Sequence, residues 1–448
     1  MIELFQRLLG AESAWEVGAD GEIARELGVS SAVAVAPADE QQCAALLRQA
    51  RERRLKVIPW GGGQHQRLGN VPRPVDLVLI TTRMQGVVAH DVADQTLVAR
   101  AGTPLRDLIG TVRDQGQLLP LDPAGTSRAT IGGVVAAGVT GPLRVGYGRA
   151  KDFLLGTLAA HPDGRLSRSG GRLVKNVTGF DLHRLYHGSL GALAVLCEVN
   201  LRLRPLPEKD ATLLVGFDDL EPFDRFLVLF RRSGASAVSF HLADAASLVR
   251  QKVPLAPGDP DGQFVAALRF HGTERSVAVS LKQCLGLLES CERTFDLQLE
   301  QNEASLAWTG IRELLPGCDE KRQGAVIQLA MLPFQGDCSV LGGTIESLVA
   351  LAAGAGQETV VSVEPLQGLV RLGFSRPPEE TLLRELTRFA GVNGPRRLQL
   401  ESAPPEWRRH LDVFFGHVKA EGPAREVKRA LDPDDLLSPG RLFFGGAE

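Results

Sequence analysis

Glycines, hydroxyl side chains and basic side chains are concentrated in residues 126–199, where they alternate with short apolar runs. Glycine has no side chain, so its backbone can approach a bulky ligand closely. The basic residues of the stretch are Arg144, Arg149, Lys151, Arg165, Arg168, Arg172 and Lys175. Because such groups attract negative charge, the stretch predicts a binding site for a large anionic ligand.

A second glycine cluster, Gly61-Gly62-Gly63, directly follows a predicted strand at residues 56–60. A Rossmann fingerprint would place Gly-x-Gly-x-x-Gly between the first strand and its helix, and three adjacent glycines cannot supply that spacing. A P-loop would need Gly-Lys-Ser/Thr, which the sequence lacks. Two interpretations remain, a turn whose N–H groups face a phosphate and a plain tight turn.

Length and composition indicate a globular protein of two or three domains, with 448 residues, 44% hydrophobic and 23% charged. A formal net charge of −3 gives no electrostatic reason to expect a nucleic-acid or anionic membrane partner. The first residues do not resemble a secretory leader, and no apolar run reaches the roughly 18 residues of a membrane span. We therefore expect a cytoplasmic location.

The six cysteines lie far apart and form no Cys-x-x-Cys motif. This spacing predicts neither a zinc site nor an iron–sulfur site, and it suits a reducing compartment. We expect buried thiols.

Hydrophobic periodicity predicts an α+β fold. In the first half, strands are expected at 31–36, 56–60, 76–80, 86–90 and 96–100, and helices at 40–54, capped by Asp39, and 105–115. After residue 207 a second α+β region follows, with two related β-α-β units as one interpretation. Its strands are expected at 211–215, 237–241, 264–270, 325–332, 359–363 and 369–374, and its helices at 222–232, 274–291, 339–353 and 379–389. A turn-rich tail with a short helix at 424–430 ends the chain.

Five motifs in this order resemble the FAD-binding family of vanillyl-alcohol oxidase and p-cresol methylhydroxylase type. Within that family they are most similar to the flavin-binding E subunits of bacterial glycolate oxidases. The motifs are residues 59–64, 129–133, 147–153, 175–182 and 438–441. The resemblance implies a two-subdomain FAD-binding domain at 1–207, an α+β cap domain for substrate or subunit contacts at 208–417, and a segment at 418–448 that returns to the FAD domain.

The resemblance also implies noncovalent FAD and names its binding residues. In this family two glycine loops hold the pyrophosphate through backbone N–H groups, and a third segment runs beside the flavin ring, where donors stabilise the reduced ring. The two loops match Pro59, Gly61, Gly62, Gly63, Gln64, Thr130, Ile131, Gly132 and Gly133, the ring segment matches Lys175, Asn176, Val177, Thr178 and Gly179, and Glu198 and Val199 are expected near the adenine. The alternative for Lys175 is a solvated surface lysine.

Two departures from the family pattern refine the expectations. Some members link FAD through a histidine just after the first loop, but Gln64 stands there and His65 comes one residue late, which favours noncovalent FAD. Relatives that oxidise 2-hydroxy acids carry a His-x-Gly-Asp-Gly-x-x-His metal motif, which His241, His271, His410 and His417 do not form, so no metal site is expected. His183 and His187 are either acid/base groups beside the flavin or packing residues, and no catalytic residue is assigned.

Three functions are compatible with these patterns. The first is an FAD-binding subunit that carries electrons in a glycolate oxidase complex with a second flavin subunit and an iron–sulfur subunit, which could attach it peripherally to a membrane. The second is a stand-alone FAD-linked oxidase or dehydrogenase of another hydroxy acid or alcohol. Arg269, Arg371, Arg396 and Arg397 are candidates for binding its substrate carboxylate, and the alternative is that these arginines lie on a solvated face. The third is a noncatalytic scaffold. For the flavoproteins, Gly132→Val should eliminate FAD binding, because the side chain would occupy the space of the phosphates.

Overall fold

The computed structural model describes residues 1–29, 31–171, 180–255, 264–315, 324–331, 339–376, 378–392, 397–409, 413–414 and 421–443. The chain forms two compact units. The first comprises Met1–Thr140, Arg149–Leu206 and Pro404–Glu448, and the second comprises Gly141–Gly148 and Pro207–Ala403.

The first unit begins with a small mixed sheet of four strands, β1 (Ala14–Glu16), β2 (Val33–Val35), β3 (Val57–Trp60) and β4 (Leu77–Ile80). Their order is β1-β2-β4-β3, with β2 and β3 parallel to β4 and β1 antiparallel to β2. The connection between β2 and β3 contains helix α3 (Glu40–Glu52). Asp39 caps this helix as predicted, because its carboxylate accepts a hydrogen bond from the Gln42 N–H at 2.8 Å.

A five-stranded antiparallel sheet follows in the same unit. Its strands are β5 (Val87–Asp91), β6 (Thr96–Arg100), β8 (Leu154–Ala160), β9 (Leu166–Gly170) and β10 (Val195–Arg202), in the order β5-β6-β10-β8-β9. Strand β7 (Gln117–Leu118) pairs separately with β11 (Arg204–Pro205). One core cluster joins Leu46 of α3, Leu77 of the first sheet and Val195 of the second, so both sheets share a core with this helix. This two-sheet arrangement agrees with the predicted α+β fold and its two subdomains.

The remaining helices of the first unit are short. They are α1 (Ile2–Leu9), α2 (Glu22–Leu27), α4 (Leu105–Arg113), α5 (Ile131–Ala137), α7 (Ala150–Phe153), α8 (Leu182–Leu185), α15 (Pro405–Arg408) and α16 (Glu421–Leu431).

The second unit contains one eight-stranded antiparallel sheet. Its strands are β12 (Lys209–Phe217), β13 (Ser239–Asp244), β14 (Phe264–Gly272), β15 (Phe295–Glu300), β16 (Ala325–Ala330), β17 (Thr359–Glu364), β18 (Leu369–Phe374) and β19 (Arg397–Ser402). Its helices are α6 (Arg144–Tyr147), α9 (Leu220–Ser233), α10 (Ala245–Arg250), α11 (Glu274–Leu288), α12 (Gln301–Arg312), α13 (Ser339–Gly354) and α14 (Glu380–Val392). The strand order is β15-β12-β14-β13-β17-β18-β16-β19.

This order divides the sheet into two halves of the same topology. Strands β12 to β15, with α9 and α11, form one β-α-β-β-α-β unit, and β16 to β19, with α13 and α14, form another. The halves join edge to edge, because β13 pairs with β17 through Leu242–Val363 and Ala243–Ser362. The sequence suggested two related β-α-β units, and each unit in the structure contains two further strands and one further helix.

The compact units differ from the domain bounds drawn from the sequence. Residues 404–417 were assigned to the cap, but the first unit already includes Pro404 onwards. Arg408 donates to the Gly69 carbonyl at 2.7 Å and Arg409 to the Gly28 carbonyl, which ties this segment to the first unit. Residues 141–148 were assigned to the FAD domain, but they belong to the second unit, where the Gly146 N–H donates to the Val238 carbonyl.

Candidate functional site

The first glycine loop follows β3 and packs directly against the segment that precedes α5. A Cβ atom at Gly62 would lie 1.6 Å from the Arg128 carbonyl oxygen, and one at Gly61 would lie 2.3 Å from the Thr130 hydroxyl oxygen. Side chains are therefore excluded at both positions by the protein itself. The glycines are needed for the contact between the two loops before any ligand is considered.

The second loop starts α5, and Thr130 is its N-cap. The Thr130 hydroxyl accepts from the Gly133 N–H at 3.3 Å. The Ile131 N–H donates to the Thr103 carbonyl at 2.9 Å, and the Gly132 N–H donates to the Ala101 carbonyl at 2.8 Å. Both N–H groups are therefore engaged within the protein in this structure, and their contact with a phosphate stays a prediction.

The physical reason given for Gly132→Val also changes. A Cβ atom at Gly132 would lie 2.7 Å from the Ala101 Cβ and 2.8 Å from its carbonyl oxygen. The valine would therefore collide with the neighbouring strand end rather than with phosphates. At Gly133, by contrast, an added Cβ would meet the Thr130 hydroxyl oxygen at 3.0 Å and, among the described residues, no other atom within 4 Å outside the backbone of α5 itself. Gly133 is thus the position in this loop where the absence of a side chain leaves space for a ligand.

Both glycine loops line one cavity. The first loop contributes residues 59–66, and the second contributes Ala129, Thr130, Gly132 and Gly133. Further walls come from the ends of neighbouring elements, namely Thr81, Ala101, Ala136, Ala137, Leu190, Gly191, Ala194, Val195, Leu196 and Arg441. The sequence alone does not identify these wall residues, although several of them lie in the 126–199 stretch and one lies in the motif at 438–441.

The residues present fit a phosphate-containing cofactor. Within the part of the chain that the structure describes, no protein acceptor takes a hydrogen bond from the Gly61 or Gly62 N–H. Two unengaged N–H groups in a side-chain-free turn are the donors that an anionic diphosphate needs. Gly133 adds the open approach beside them.

Arg441 supports the first loop from the C-terminal segment. Its side chain is 3% exposed and donates to the carbonyl oxygens of Gln66 and Leu68, both at 2.7 Å, and to the Gln66 side chain. These bonds explain why a motif near the chain end belongs to the cavity. Burial lowers the pKa of Arg441 to about 10.

Several predicted site residues lie elsewhere. Ile131 is fully buried in α5, Val199 is fully buried in β10, and neither lines the cavity. Glu198 accepts a hydrogen bond from Arg168 at 3.0 Å and also lies outside the lining. On β10, the cavity wall is formed instead by Val195 and Leu196. Lys175, Asn176, Val177, Thr178 and Gly179 lie outside the described residues.

Three of the basic side chains of the 126–199 stretch are paired with carboxylates in the part of the chain that the structure describes. Arg165 pairs with Asp163 at 2.5 Å, and Arg168 pairs with Glu198. Arg144 lies in the second unit, 3.1 Å from Glu364. The inference of an anionic ligand therefore rests on the glycine loops, because these arginines pair with carboxylates of the chain itself.

His183 and His187 are not among the described residues that line the cavity. His183 is 5% exposed, and its Nδ1 lies 3.0 Å from the Ser169 hydroxyl oxygen. Burial lowers the pKa of His183, and burial together with Lys151 and Arg149 lowers that of His187. These contacts favour packing roles. His410 and His417 lie outside the described residues.

The arginines considered for a substrate carboxylate are occupied by the chain's own carboxylates. Arg269 binds Asp210 through Nε at 2.9 Å and Nη2 at 2.6 Å. Arg371 binds Glu364 at 2.5 Å and Glu401 at 2.7 Å. Both arginines are therefore engaged by internal carboxylates in this structure, and their binding of a substrate carboxylate stays a prediction. Arg397 is exposed, and Arg396 lies outside the described residues.

Among the described residues, no group of three or more His, Cys, Asp or Glu side chains is arranged to hold a metal ion. The described helices include none that is both long enough and apolar enough to cross a membrane. Cys43, Cys197, Cys284 and Cys291 are buried free thiols, as expected, and the other two cysteines lie outside the described residues.

Two families match the chain. The one described as "FAD binding domain" matches residues 31–170, and the one described as "FAD linked oxidases, C-terminal domain" matches residues 206–363. The first match lies largely in the first unit, and the second match covers strands β12 to β16 and most of β17 in the second unit.

Curated relatives match parts of the chain. Glycolate oxidase subunit GlcD of Bacillus subtilis is 30% identical over 187 residues, which cover 42% of this chain and 40% of the relative. Glycolate oxidase subunit GlcE of Escherichia coli is 39% identical over 143 residues, which cover 32% of this chain and 41% of the relative. D-lactate dehydrogenase [cytochrome], mitochondrial, of Arabidopsis thaliana is 24% identical over 92% of this chain and 73% of its own. The matches to GlcD and GlcE thus span about two fifths of those proteins.

Solved structures share the fold. The 4-ethylphenol oxidase of Gulosibacter chungangensis, in complex with isoeugenol, superposes with a TM-score of 0.75 at 16% identity, covering 99% of this chain and 96% of that one. p-Cresol methylhydroxylase with bound substrate gives a TM-score of 0.74, also at 16% identity, covering 98% and 96%. The two family matches, to an FAD binding domain and to the C-terminal domain of FAD linked oxidases, identify the chain as an FAD-linked oxidoreductase whose cofactor is FAD, and the two solved structures share its fold.

Proposed function

We propose that this chain is the FAD-binding subunit of a glycolate oxidase complex and carries electrons from the oxidation of glycolate to glyoxylate. The 39% identity to the Escherichia coli GlcE subunit carries this proposal. The described residues contain no metal-binding cluster, and the two candidate substrate arginines are saturated by Asp210, Glu364 and Glu401. Both observations favour a division of labour in which another flavin subunit binds the 2-hydroxy acid and an iron–sulfur subunit accepts electrons.

The cofactor site in this proposal is the cavity between the glycine loops. The N–H groups of Gly61 and Gly62 hold the pyrophosphate, and Gly133 permits its close approach. The bound FAD supplies the redox chemistry, and the chain supplies binding and orientation. Lys175 and its neighbours, with Glu198 and Val199 further along, remain proposed contacts of the ring and the adenine.

The decisive experiment compares the purified chain with the chain co-purified with its partners. We expect the chain alone to retain one FAD but to reduce a dye acceptor with glycolate only when the second flavin subunit and the iron–sulfur subunit are added. Full-rate glycolate oxidation by the chain alone would contradict the proposal. The Gly133→Ala variant, with weakened FAD binding, serves as a control for flavin-dependent transfer within the reconstituted complex.

A second candidate is a stand-alone FAD-linked dehydrogenase of another hydroxy acid. The match to the plant D-lactate dehydrogenase along 92% of the chain favours it, since that alignment includes the eight-stranded sheet. Anaerobic addition of a panel of 2-hydroxy acids to the purified chain separates the two functions. Rapid bleaching of the flavin by D-lactate without any partner would support the second candidate.

A further inference from the structure

Arg408, the last residue of α15, is a fully buried arginine with unsatisfied donors. Its relative exposure is 0%, and its Nη1 donates to the Gly69 carbonyl at 2.7 Å. Its Nε and Nη2 have no hydrogen-bond acceptor among the described residues. A buried charged group without partners costs several kcal/mol, so natural structures pair such groups with a counter-charge or a ligand.

Nε and Nη2 form the edge of the guanidinium that can donate to two oxygens of one carboxylate or phosphate at once. Other arginines of this chain use that same edge in this way. Arg67 binds Glu26 through Nε at 2.9 Å and Nη2 at 3.2 Å, and Arg269 binds Asp210 with the same two atoms. At Arg408 the corresponding edge faces no carboxylate among the described residues.

The surroundings of Arg408 are positively charged. Burial, together with the charges of Arg441 and Arg67, lowers the pKa of Arg408 to about 9 against the opposing effect of Glu26 and Glu406. Glu26 is already bound by both nitrogens of the Arg67 edge. Two buried guanidinium groups, those of Arg408 and Arg441, thus share a region whose buried carboxylate is engaged elsewhere.

Arg408 and Asn70 both line a cavity of about 1120 Å³. Asn70 is 2% exposed; its Oδ1 accepts from the Val413 N–H, while its Nδ2 has no acceptor among the described residues. Apolar walls are supplied by Val29, Val71 and Phe443. This cavity shares no described lining residue with the glycine-loop cavity. Its volume exceeds what an inorganic ion needs and suits a small organic molecule.

We propose that this cavity binds a small molecule bearing a carboxylate or phosphate group. Arg408 donates hydrogen bonds to that group from Nε and Nη2, and the Asn70 amide donates to the same group. The apolar part of the molecule lies against the wall that Val29 and Val71 line. The site is independent of the FAD site.

The test uses the full chain loaded with FAD, so that the glycine loops are occupied. Inorganic phosphate and butyrate are titrated in separate calorimetric arms, which distinguishes a phosphate from a carboxylate with an apolar tail. We expect saturable binding in at least one arm. The Arg408→Met variant should bind at least about 30-fold more weakly, because a desolvated bidentate contact is lost. The control is Arg429→Met, an exposed arginine on α16, which should bind like the parent protein.

A stability measurement separates ligand binding from a structural role. In anion-free buffer, Arg408→Met should unfold at the same temperature as the parent protein or higher, because it removes an uncompensated buried charge. Addition of the binding anion should raise the unfolding temperature of the parent but not of the variant. The proposal is overturned if neither anion binds the parent protein, if Arg408→Met binds equally well, or if the variant is destabilised to the same extent with and without anion.

Discussion

The Gly133→Ala substitution isolates the effect of a single methyl group on cofactor binding. Gly133 lies in α5, and an added Cβ would meet the Thr130 hydroxyl oxygen at 3.0 Å; outside the helix backbone, no other atom of the described part of the chain lies within 4 Å. A small rotation of Thr130 can relieve that contact. Alanine also favours the helix over glycine by about 0.5–1 kcal/mol, so the apoprotein should be as stable as the parent or slightly more stable.

FAD binding should respond in the opposite direction. A methyl group in a filled, close-packed contact typically costs about 1–3 kcal/mol, which corresponds to a Kd for FAD raised about 5- to 150-fold. The assay is a titration of FAD into apoprotein followed by flavin fluorescence, with thermal unfolding of the apoprotein measured in parallel.

Gly132→Ala is the matched control, because its Cβ would lie 2.7 Å and 2.8 Å from two atoms of Ala101. It should lower the stability of the apoprotein by about 1–3 kcal/mol before FAD is added. If Gly133→Ala binds FAD within twofold of the parent, the cofactor does not approach this residue. If it destabilises the apoprotein as Gly132→Ala does, the position is not open as the geometry indicates.

Three further predictions follow from the buried charges and the first loop. Burial lowers the pKa of His241 to about 4, so the folded state binds fewer protons than the unfolded state below pH 6.5. Acidification to pH 5 should therefore cost the parent protein about 2 kcal/mol of stability, a loss that His241→Gln should not show. Identical urea titrations of parent and variant across pH 5–8 would refute this. Glu364→Gln should cost about 3 kcal/mol in urea unfolding, because it leaves Arg144 and one side of Arg371 without their carboxylate; a loss below about 1 kcal/mol would contradict the importance of this network. Because Gln64 follows the first loop, acid precipitation should release all FAD into the supernatant, and flavin retained on the polypeptide would show a covalent link.

The pKa of Glu364 explains why that carboxylate matters at neutral pH. Burial alone would raise it, but Arg371 and Arg144 lower it further than burial raises it, and its pKa lies below the ordinary value. Its contribution to stability is therefore present above the ordinary glutamate pKa and is lost as the pH falls through the lowered one. Most of the stability change linked to His241 occurs above the ordinary glutamate pKa, so the two groups affect stability largely at different pH.

Local sequence signals predicted the strands and helices of the first unit between residues 31 and 113. The predicted strand at 96–100 is observed as Thr96–Arg100, and the predicted helix at 40–54 is observed as Glu40–Glu52. Two elements of the second unit, β15 and α12, were not predicted although their apolar residues recur with strand and helix periodicity. In β15 the residues Phe295, Leu297 and Leu299 alternate, and in α12 Ala304, Ala307 and Ile311 recur at helical spacing.

The sequence by itself determined where the backbone must be bare. Gly61, Gly62 and Gly132 mark the two predicted cofactor loops, because a residue without a side chain can be read directly from the sequence. Both loops line one cavity in the structure. It could not determine why each glycine is required. Contacts with Arg128, Thr130 and Ala101 answer that, and they join residues far apart in the chain.

Tertiary structure alone decided the partners of the charged side chains. Arg144 stands among glycine-loop residues in the sequence, yet its carboxylate partner is Glu364 on β17. Arg408, one of many late arginines, is the buried group whose gripping edge has no acceptor among the described residues. Spacing along a chain reports local geometry, whereas burial and charge pairing depend on which distant segments the topology brings together.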